Sequence, residues 1–387
     1  MQKKLIRITT IPLSLEKLLV GQLPFMEQFY NVTAVSSEKK RLQAFGKENK
    51  VATCFVDLTR KITPIKDLNA VLKLYKYFKK EKPLIVHTHT PKAGIVGMMA
   101  AYFAGVPLRL HTVAGLPLME ATGFKRIILN FVEKSTYFFS TNVYPNSKGL
   151  YDFITSEGFT TQKKLQIIGA GSSNGIDTSH FDPALFVTET RQNKRTEIGI
   201  PENHFVFVFV GRLVKDKGIN ELVDAFAKLN SEKDNTSLLL VGPFEADLDP
   251  LASETISLIN NSKNIHSVGY QNDVRIFFAL SDALVFPSYR EGFPNVVMQA
   301  GAMGLPSIVT NINGCNEIIE EGENGWIIPV KDAEAIFKAM QNCLVNHQQV
   351  LEMASHCLEM ITSRYEQQKV WEAILAEYQR LTLDLEG

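Results

Sequence analysis

Short apolar runs alternate along the chain with longer segments in which hydrophobic residues recur at helical spacing. The helical pattern is clearest at residues 66–80, 92–104 and 123–139. Strands that alternate with helices are typical of βαβ units and predict a parallel sheet. The runs predicted as strands in the first half are KLIRITTI, YNVTAVSS, ATCFVDL, PLIVHTH, PLRLHTV, TNVYPNS and LQIIGAGS.

The same alternation starts afresh at residue 204. The run HFVFVFVG (204–211) is almost wholly apolar, as expected of a central strand covered by helices on both faces. The pattern therefore predicts a second doubly wound sheet. Its other predicted strands are SLLLVG, NIHSVG, ALVFPS and PSIVT, and its predicted helices are 218–230, 251–261, 273–280, 295–304 and one from Asp332.

The predicted fold is α/β, with two Rossmann-like doubly wound domains facing a cleft. Residues 1–182 form the predicted N-terminal domain and residues 201–364 the C-terminal domain, joined by a polar linker at 183–200. The stretch 365–387 exceeds the needs of the second sheet and is expected to cross back to the first domain. Ligands of such sheets bind outside the carboxyl ends of the strands, so the cleft is the predicted small-molecule site.

Composition narrows the class of protein. Hydrophobic residues make up 45% of the chain and charged residues 21%, which is typical of a soluble globular protein. The four cysteines are scattered without a Cys-x-x-Cys pair, which favours reduced thiols in a cytoplasm over a disulfide framework or a zinc site. The longest apolar stretch, 93–108, is shorter than the roughly 18–20 residues that cross a bilayer, so no transmembrane helix is expected.

The net charge of zero hides a division between the two halves. Residues 1–182 hold 25 Lys and Arg against 13 Asp and Glu, an excess of +12 that the remaining residues balance. A basic half predicts contact with an anionic ligand or surface, and charge alone allows both nucleic acid and anionic lipid. The predicted helix 123–139 combines Lys125, Arg126 and Lys134 with many aromatic and aliphatic residues. Such a helix either lies on an anionic membrane or covers the sheet with a solvated basic edge.

Arg212 and Lys217 flank the first turn of the second half. Arg212 follows the strand 204–211, and Lys217 precedes a glycine and a predicted helix. An arginine fork and a lysine point charge at a strand-to-helix turn suit a ligand with two phosphates, the alternative being a solvated basic turn. Neither Gly-x-Gly-x-x-Gly nor a P-loop motif occurs, which argues against the usual dinucleotide and P-loop sites.

Glu291 lies in SYREGFPNVVMQA (288–300), where a predicted strand ends and a helix begins. The N–H groups of a helix start favour anions, and a carboxylate accepts hydrogen bonds from several hydroxyl groups at once. Beside a diphosphate clamp, Glu291 is therefore predicted to hold the hydroxyl groups of a sugar. A ligand with a diphosphate and a polyhydroxyl group indicates a nucleotide sugar.

Several motifs stand in the order and spacing of one family. The chain resembles, over nearly its whole length, the retaining glycosyltransferases of family 4, which have the two-domain GT-B fold. HTHTPKAGIVGMMAA and HTVAGLPLMEATGFKR resemble the branch that assembles bacterial surface polysaccharides and lipid-linked oligosaccharides. The other motifs that carry the resemblance are GRLVKDKG, SVGYQNDV, FPSYREGFPNVVMQA, NGCNEIIEEGENGWI and GAGSSNGIDTSHFDP.

The resemblance implies a retaining, metal-independent transfer from a nucleotide-diphosphate sugar, expected to be a UDP-sugar, to a glycan acceptor that is expected to be lipid-linked. It implies no cofactor and no nucleic acid partner, and a place at the cytoplasmic face of the membrane. Arg212 and Lys217 would stabilise the leaving diphosphate, and Glu291 would hold the donor sugar; these three are the candidate catalytic residues. The residues expected to contact the donor are Gly21, Gly211, Gly269, Gly292, Phe293, Pro294, Asn295, Val296 and Gln299.

The chain departs from the family pattern at two positions. Gln299 stands where the family carries a second glutamate that contacts ribose, and its amide keeps an acceptor oxygen without the charge. Ala114 replaces a histidine that many relatives place near the reacting carbon. His89 and Lys92 are candidates for the acceptor side, but no protein base is assigned. A front-face transfer, in which the leaving phosphate takes the acceptor proton, needs none.

Two other classes of function remain open on the sequence. Nucleotide-sugar 2-epimerases share the two-domain architecture, although the pairing of GRLxxxKG with EGFPN argues against them. A non-catalytic binder of nucleotide sugars is the second alternative, because Ala114 and Gln299 depart from the pattern of active relatives.

Overall fold

The computed structural model describes residues 2–61, 63–245 and 249–387. The chain divides into two compact units. Unit 1 comprises Met1–Gly175 and Gln368–Gly387, and unit 2 comprises Ile176–Gln367. None of the helices in the described ranges is both long and apolar enough to span a membrane.

Unit 1 contains a six-stranded parallel sheet with strand order β3-β2-β1-β4-β5-β6. The strands are β1 (Lys4–Ile8), β2 (Asn31–Ser36), β3 (Ala52–Phe55), β4 (Ile85–Thr88), β5 (Leu108–Val113) and β6 (Asn142–Pro145). The helices in the first part of this unit are α1 (Pro12–Leu18), α2 (Gln22–Glu27), α3 (Lys39–Asn49), α4 (Pro64–Glu81), α5 (Pro91–Ala104), α6 (Gly123–Phe139) and α7 (Lys148–Ser156).

Unit 2 repeats the arrangement with strand order β12-β11-β10-β7-β8-β9. The strands are β7 (Phe205–Val210), β8 (Thr236–Val241), β9 (Ile265–Ser267), β10 (Ala283–Phe286), β11 (Ser307–Thr310) and β12 (Gly325–Ile328). The helices are α8 (Thr188–Glu197), α9 (Ile219–Glu232), α10 (Ser253–Asn261), α11 (Arg275–Ala279), α12 (Asn295–Ala302), α13 (Cys315–Ile318), α14 (Ala333–Val345) and α15 (His347–Tyr365). The last helix, α16 (Gln367–Glu386), lies almost wholly in unit 1.

Strand alternation builds the two hydrophobic layers of unit 1. Leu5 packs into a cluster with α1, α2, α3 and α16, whereas its neighbour Ile6 packs into a cluster with α4 and α5. Helix α16 contributes Val370, Ile374 and Tyr378 to the first cluster. Both faces of the sheet are therefore covered by helices, and the predicted parallel, doubly wound organisation is confirmed for each unit.

Two predicted features differ from the structure. LQIIGAGS is wrong as a strand: Leu165 makes a single bridge to Val143, and the chain then turns at Gly169 and Gly171, which have φ angles of 58° and 97°. Residues 183–200, the expected linker, contain a 3-10 turn and helix α8 and belong to unit 2.

Candidate active site

The two sheets share one topology, and that topology determines where each can bind a ligand. In unit 2 the chain runs from β7 to β8 on one side and returns to β10 on the other side of β7. The carboxyl ends of β7 and β10 therefore form a switch point, where open α/β sheets bind ligands. Arg212 follows β7 and Glu291 follows β10, so both predicted residues flank this point.

Backbone contacts hold the turns after β7 and β10 together. The 3-10 turn Lys215–Lys217 ends at Gly218, whose φ is 70°. A Cβ atom at Gly218 would lie 2.2 Å from the carbonyl oxygen of Pro287, so only glycine permits this approach. The N–H of Tyr289 donates to the carbonyl oxygen of Asp216 at 2.9 Å. Lys217 is thereby placed against the turn that carries Glu291.

Lys217 and Glu291 form an ion pair with each other. The Nζ of Lys217 donates to Oε1 of Glu291, and the hydroxyl of buried Ser288 donates to the same oxygen at 3.0 Å. The two charged side chains are only 16% and 19% exposed. The structure therefore pairs two residues that were predicted to bind different parts of the ligand, Lys217 the diphosphate and Glu291 the sugar.

Arg212 is more exposed to solvent than Lys217. Its Nη1 donates to Oε2 of Glu245 at 2.8 Å, and its side chain is 44% exposed. The hydrogen bond that Arg212 donates to the Glu245 carboxylate raises the pKa of Arg212 above its ordinary value, so the guanidinium is always charged. Arg212 is thus a solvent-accessible cation beside the switch point of unit 2.

Three glycines follow neighbouring strands along the same edge. Gly211 donates its N–H to the carbonyl oxygen of Val241 at 2.9 Å, and Gly242 donates to the carbonyl oxygen of Gly269 at 2.9 Å. A Cβ atom at Gly242 would lie 1.7 Å from the carbonyl oxygen of Gly211, so no other residue fits there. A Cβ atom at Gly269 would meet nothing within 4 Å. The backbone after β7, β8 and β9 therefore carries no side chain at these three positions, and the space beside Gly269 is open.

Helix α12 begins at Asn295, directly after the turn with Glu291. Its N-cap residue is Pro294, which has no capping side chain, and the preceding Phe293 is buried. The N-terminus of a helix favours anions. Val296 and Gln299 follow on the same side of α12, and Gln299 is half-buried. The predicted phosphate-capping segment and the amide therefore lie on one helix.

Gly314 fixes the start of α12 from the neighbouring loop. A Cβ atom at Gly314 would lie 2.7 Å from Cα of Phe293 and 2.9 Å from the carbonyl oxygen of Gly292. Cys315, the next residue, is fully buried near Glu291. Burial, with the Glu291 carboxylate, raises the pKa of the Cys315 thiol well above its ordinary value and keeps the thiol protonated. Cys315 therefore packs beside the candidate site without taking part as a nucleophile.

In unit 1 the predicted Gly21 lies at a constrained turn between α1 and α2. Its φ is 72°, and a Cβ atom there would lie 2.5 Å from the indole ring of Trp371. The indole N–H donates to Oδ1 of Asn174 at 2.8 Å, and the side-chain amide of Asn174 donates to the carbonyl oxygen of Val20 at 2.9 Å. Helix α16 thus packs on the turn that holds Gly21.

His89 and Lys92 follow β4, which pairs with β1 at the switch point of unit 1. His89 is 4% exposed, its ring lies 4.2 Å from that of His87, and neither ring nitrogen has a partner among the described residues. Burial, with smaller contributions from Arg7 and His87, lowers the pKa of His89 well below its ordinary value, so its imidazole is neutral. Lys92 is paired with Asp67. Of these two, only His89 offers an unused acceptor.

Sequence reasoning missed Ser288, Gly242 and Gly314. Gly242 and Gly314 matter because they allow close approaches between turns that are far apart in sequence. Ser288 matters because its hydroxyl donates to Glu291. The glycine that ends each of the predicted strands HFVFVFVG, SLLLVG and NIHSVG is the one signal that indicates Gly242, because such glycines often mark a close backbone approach.

Two family models match the chain. The Glycosyl transferases group 1 model matches residues 190–358, and the Glycosyl transferase 4-like model matches residues 24–147. The chain is 32% identical over 387 residues to the capsular polysaccharide biosynthesis glycosyltransferase CapM of Staphylococcus aureus, covering 100% of this chain and 99% of that protein. The protein belongs to the group 1 glycosyltransferases. These matches confirm the resemblance to glycosyltransferases that the sequence motifs indicated.

Further similarities support the same family. This glycosyltransferase is 30% identical over 346 residues to the Escherichia coli UDP-Gal:alpha-D-GlcNAc-diphosphoundecaprenol alpha-1,3-galactosyltransferase, covering 88% of this chain and 86% of that enzyme. Its fold resembles that of Anabaena Alr3699/HepE in complex with UDP, with a TM-score of 0.81, 17% identity, and coverage of 98% and 100% of the two chains. The GT-B fold prediction is confirmed. The isomerase and non-catalytic alternatives are not favoured.

Proposed function

We propose that this glycosyltransferase transfers a sugar from a UDP-sugar, with retention of anomeric configuration, to a polyprenyl-diphosphate-linked glycan. The observation that carries the proposal is the placement of Arg212, Lys217 and Glu291 around the switch point of unit 2. Two cations and a carboxylate at the carboxyl edge match the two chemical parts of a nucleotide sugar, a diphosphate and a polyol.

The donor diphosphate is proposed to lie against Lys217, Arg212 and the first N–H groups of α12. Arg212 is exposed enough to meet an incoming anion, and Lys217 is drawn from its pair with Glu291 when the diphosphate arrives. Glu291 then accepts hydrogen bonds from sugar hydroxyl groups. The open edge at Gly269 suits the base, and Gln299 suits the ribose hydroxyl groups. Contact of the diphosphate with Gly21 stays a prediction.

The proposed reaction needs no protein base. The bond between the anomeric carbon and the diphosphate oxygen breaks, and the acceptor oxygen bonds to the same face of that carbon. The departing phosphate takes the acceptor proton, while Arg212 and Lys217 stabilise its growing negative charge. Neutral His89, with its unused ring nitrogens, is a candidate to accept a hydrogen bond from the acceptor.

The proposed acceptor is a lipid-linked glycan, and the proposed place of action is the cytoplasmic membrane face. One support is the E. coli relative, a galactosyltransferase that acts on alpha-D-GlcNAc-diphosphoundecaprenol. A second is the +12 charge of residues 1–182, which favours anionic acceptors and surfaces. A water-soluble lipid analogue with a short prenyl chain separates recognition of the diphosphate glycan from any need for a membrane.

A donor panel tests the proposal. The purified protein is incubated with UDP-sugars and a short polyprenyl-diphosphate sugar, and UDP release and the anomeric configuration of the product are measured. One UDP-sugar is expected to give an α-linked product from an α-linked donor, unchanged by EDTA. Interconversion of UDP-sugars without transfer, inversion at the anomeric carbon, or activity that disappears with EDTA and returns with Mn²⁺ would contradict the respective parts of the proposal.

A further inference from the structure

Helices α4, α5 and α6 form one layer on unit 1, with α5 packed between the other two. Helix α6 carries a row of large apolar side chains on its outward side. Phe124, Ile127, Phe131 and Phe138 are 75%, 64%, 72% and 65% exposed. Their spacing places them on one face of the helix, opposite the buried Glu133, Thr136 and Tyr137. This outward row, Phe124–Ile127–Phe131–Phe138, is called the α6 row.

The other two helices of the layer add to this apolar surface. On α4, Ile65, Leu68 and Leu72 are 80%, 58% and 50% exposed and also share one outward face. At the end of α5, Tyr102 and Phe103 are exposed, and the ring of Tyr102 lies 6.1 Å from that of Phe138. A monomeric protein rarely exposes this much apolar surface without a partner.

The exposed charges on the layer are all positive. All residues of α4, α5 and α6 are described, and every exposed charged side chain among them is a lysine. The acidic side chains of the layer are either paired or buried. Asp67 pairs with Lys92, Glu81 pairs with Lys4, and Glu133 is buried. The exposed lysines are Lys66, Lys73, Lys76, Lys79, Lys80, Lys125 and Lys134.

We propose that the α4–α5–α6 layer is a membrane-docking surface, on which the α6 row inserts into the headgroup–acyl boundary of an anionic bilayer. Helices with an apolar face bordered by lysines bind such interfaces through buried apolar area together with attraction to anionic lipids. The proposal builds on the proposed lipid-linked acceptor, but the surface itself follows from exposure and charge alone.

A bilayer fits this surface better than a second copy of the chain. Two such layers facing each other would bring together lysines without any exposed acid between them, and like charges across an interface disfavour association. Anionic headgroups supply the missing negative charge. Membrane insertion also accommodates two separate rows, on α4 and α6, without a complementary groove.

The orientation of the layer agrees with the proposed reaction. Helices α4 and α6 follow β3 and β5 and therefore begin at the carboxyl edge of the sheet. Phe124 and Ile65 lie at these helix starts. His89 follows β4 at the same edge. A glycan whose diphosphate lies at headgroup level would thus be presented beside the edge that carries His89.

Vesicle binding and insertion depth test the surface. The full-length protein is sedimented with acceptor-free vesicles of phosphatidylglycerol and phosphatidylcholine, and with phosphatidylcholine alone. Phe124→Ser/Phe131→Ser is expected to lower the partition coefficient on anionic vesicles by roughly tenfold or more, since each aromatic side chain loses apolar burial. The matched control is Leu383→Ser/Val345→Ser, whose side chains are 67% and 71% exposed outside the layer and should leave binding unchanged.

A tryptophan at the α6 row reports insertion directly. Ile127→Trp fluorescence is expected to be quenched by brominated lipids, above the background of the unmodified protein, and Leu383→Trp fluorescence is expected to show no added quenching. Equal loss of binding in the control pair, or no added quenching at Ile127→Trp, overturns the proposal. Self-association that Phe124→Ser/Phe131→Ser abolishes, without vesicle binding, would assign the surface to a second copy instead.

Turnover on a soluble acceptor separates this proposal from the proposed function. The Phe124→Ser/Phe131→Ser variant should retain wild-type transfer to the short-chain acceptor. A wild-type protein that transfers sugar but fails to bind vesicles refutes only the docking surface. A protein that binds vesicles as expected but transfers from no UDP-sugar refutes only the proposed function.

Discussion

Loss of Lys217 should impair turnover more than loss of Arg212, although both are proposed to face the donor diphosphate. The Lys217 side chain is 16% exposed and that of Arg212 is 44% exposed. Two unit charges about 4 Å apart interact by roughly 4 kcal/mol at an effective dielectric constant of 20 and by only about 1 kcal/mol in bulk water. The less exposed cation is therefore expected to contribute more to stabilising the leaving group.

The expected sizes follow from that difference. Removing one donor that faces developing negative charge typically costs about 2.7–4 kcal/mol, or roughly 10²–10³ in rate. We predict a loss of kcat/KM on that order for Lys217→Ala and about 10² for Arg212→Ala. Lys215→Ala is the matched control, because Lys215 is an exposed lysine in the same 3-10 turn. It should remain within about threefold of wild type, as expected of a solvated surface charge.

The assay is steady-state release of UDP at varied donor concentration, with thermal unfolding measured for each variant. Because Lys217 pairs with Glu291, Lys217→Ala also leaves a carboxylate without its partner. Glu291→Gln and the double variant close a mutant cycle that separates this effect from the lost contact with the diphosphate. Wild-type turnover in Lys217→Ala, or an equal loss in Lys215→Ala, would refute the assignment of Lys217 to the diphosphate.

Three further predictions follow from individual residues. Gln299→Glu should keep activity and bind UDP at least as tightly, measured by calorimetry, because a carboxylate is the stronger acceptor for ribose hydroxyl groups. A loss of UDP affinity would show instead that the Gln299 amide donates an essential hydrogen bond. Gly218→Ala should lower the free energy of unfolding by more than the roughly 1–3 kcal/mol that a positive φ costs, because its Cβ would also clash with Pro287. Gly105 has a φ of 75° with open space around it, so Gly105→Ala measures the backbone strain alone in the same chemical denaturation experiment. Burial lowers the pKa of His111 to about 4, so the unfolded chain takes up this proton first, and His111 contributes a stability loss of roughly 2 kcal/mol at pH 5 as pH falls below about 6.5. Because burial also lowers the pKa values of His87 and His89, His111→Gln should reduce but not abolish the pH dependence in denaturant titrations, and an unchanged slope would contradict it.

The strand-and-helix pattern predicted the fold because both sheets are buried on both faces. FVFVFV in β7 is apolar at every position, and such a run has few alternatives to a central parallel strand. LQIIGAGS has the same local chemistry but failed as a strand. Gly169 and Gly171 adopt positive φ there, and a strand needs a hydrogen-bonded partner over its length as well as β-branched residues.

The candidate site residues stand out in the sequence by type, but their pairing does not. Arg212, Lys217 and Glu291 stand out because each lies where a predicted strand ends and a helix or turn begins. No local pattern indicates that Lys217 and Glu291 touch. That contact depends on the approach of Gly218 to Pro287, which joins turns that follow the adjacent strands β7 and β10 but lie far apart in sequence.

The pairing of Lys217 with Glu291 gives the proposed site a way to couple its two tasks. Without a donor, the lysine and the carboxylate neutralise each other, so their partial burial does not leave an isolated charge. A diphosphate carries enough negative charge to compete with Glu291 for Lys217. The carboxylate that is released then needs new hydrogen-bond donors, and the hydroxyl groups of the attached sugar provide them. A diphosphate without a sugar satisfies only the lysine, so UDP alone should bind more weakly than an intact UDP-sugar with the correct hydroxyl groups.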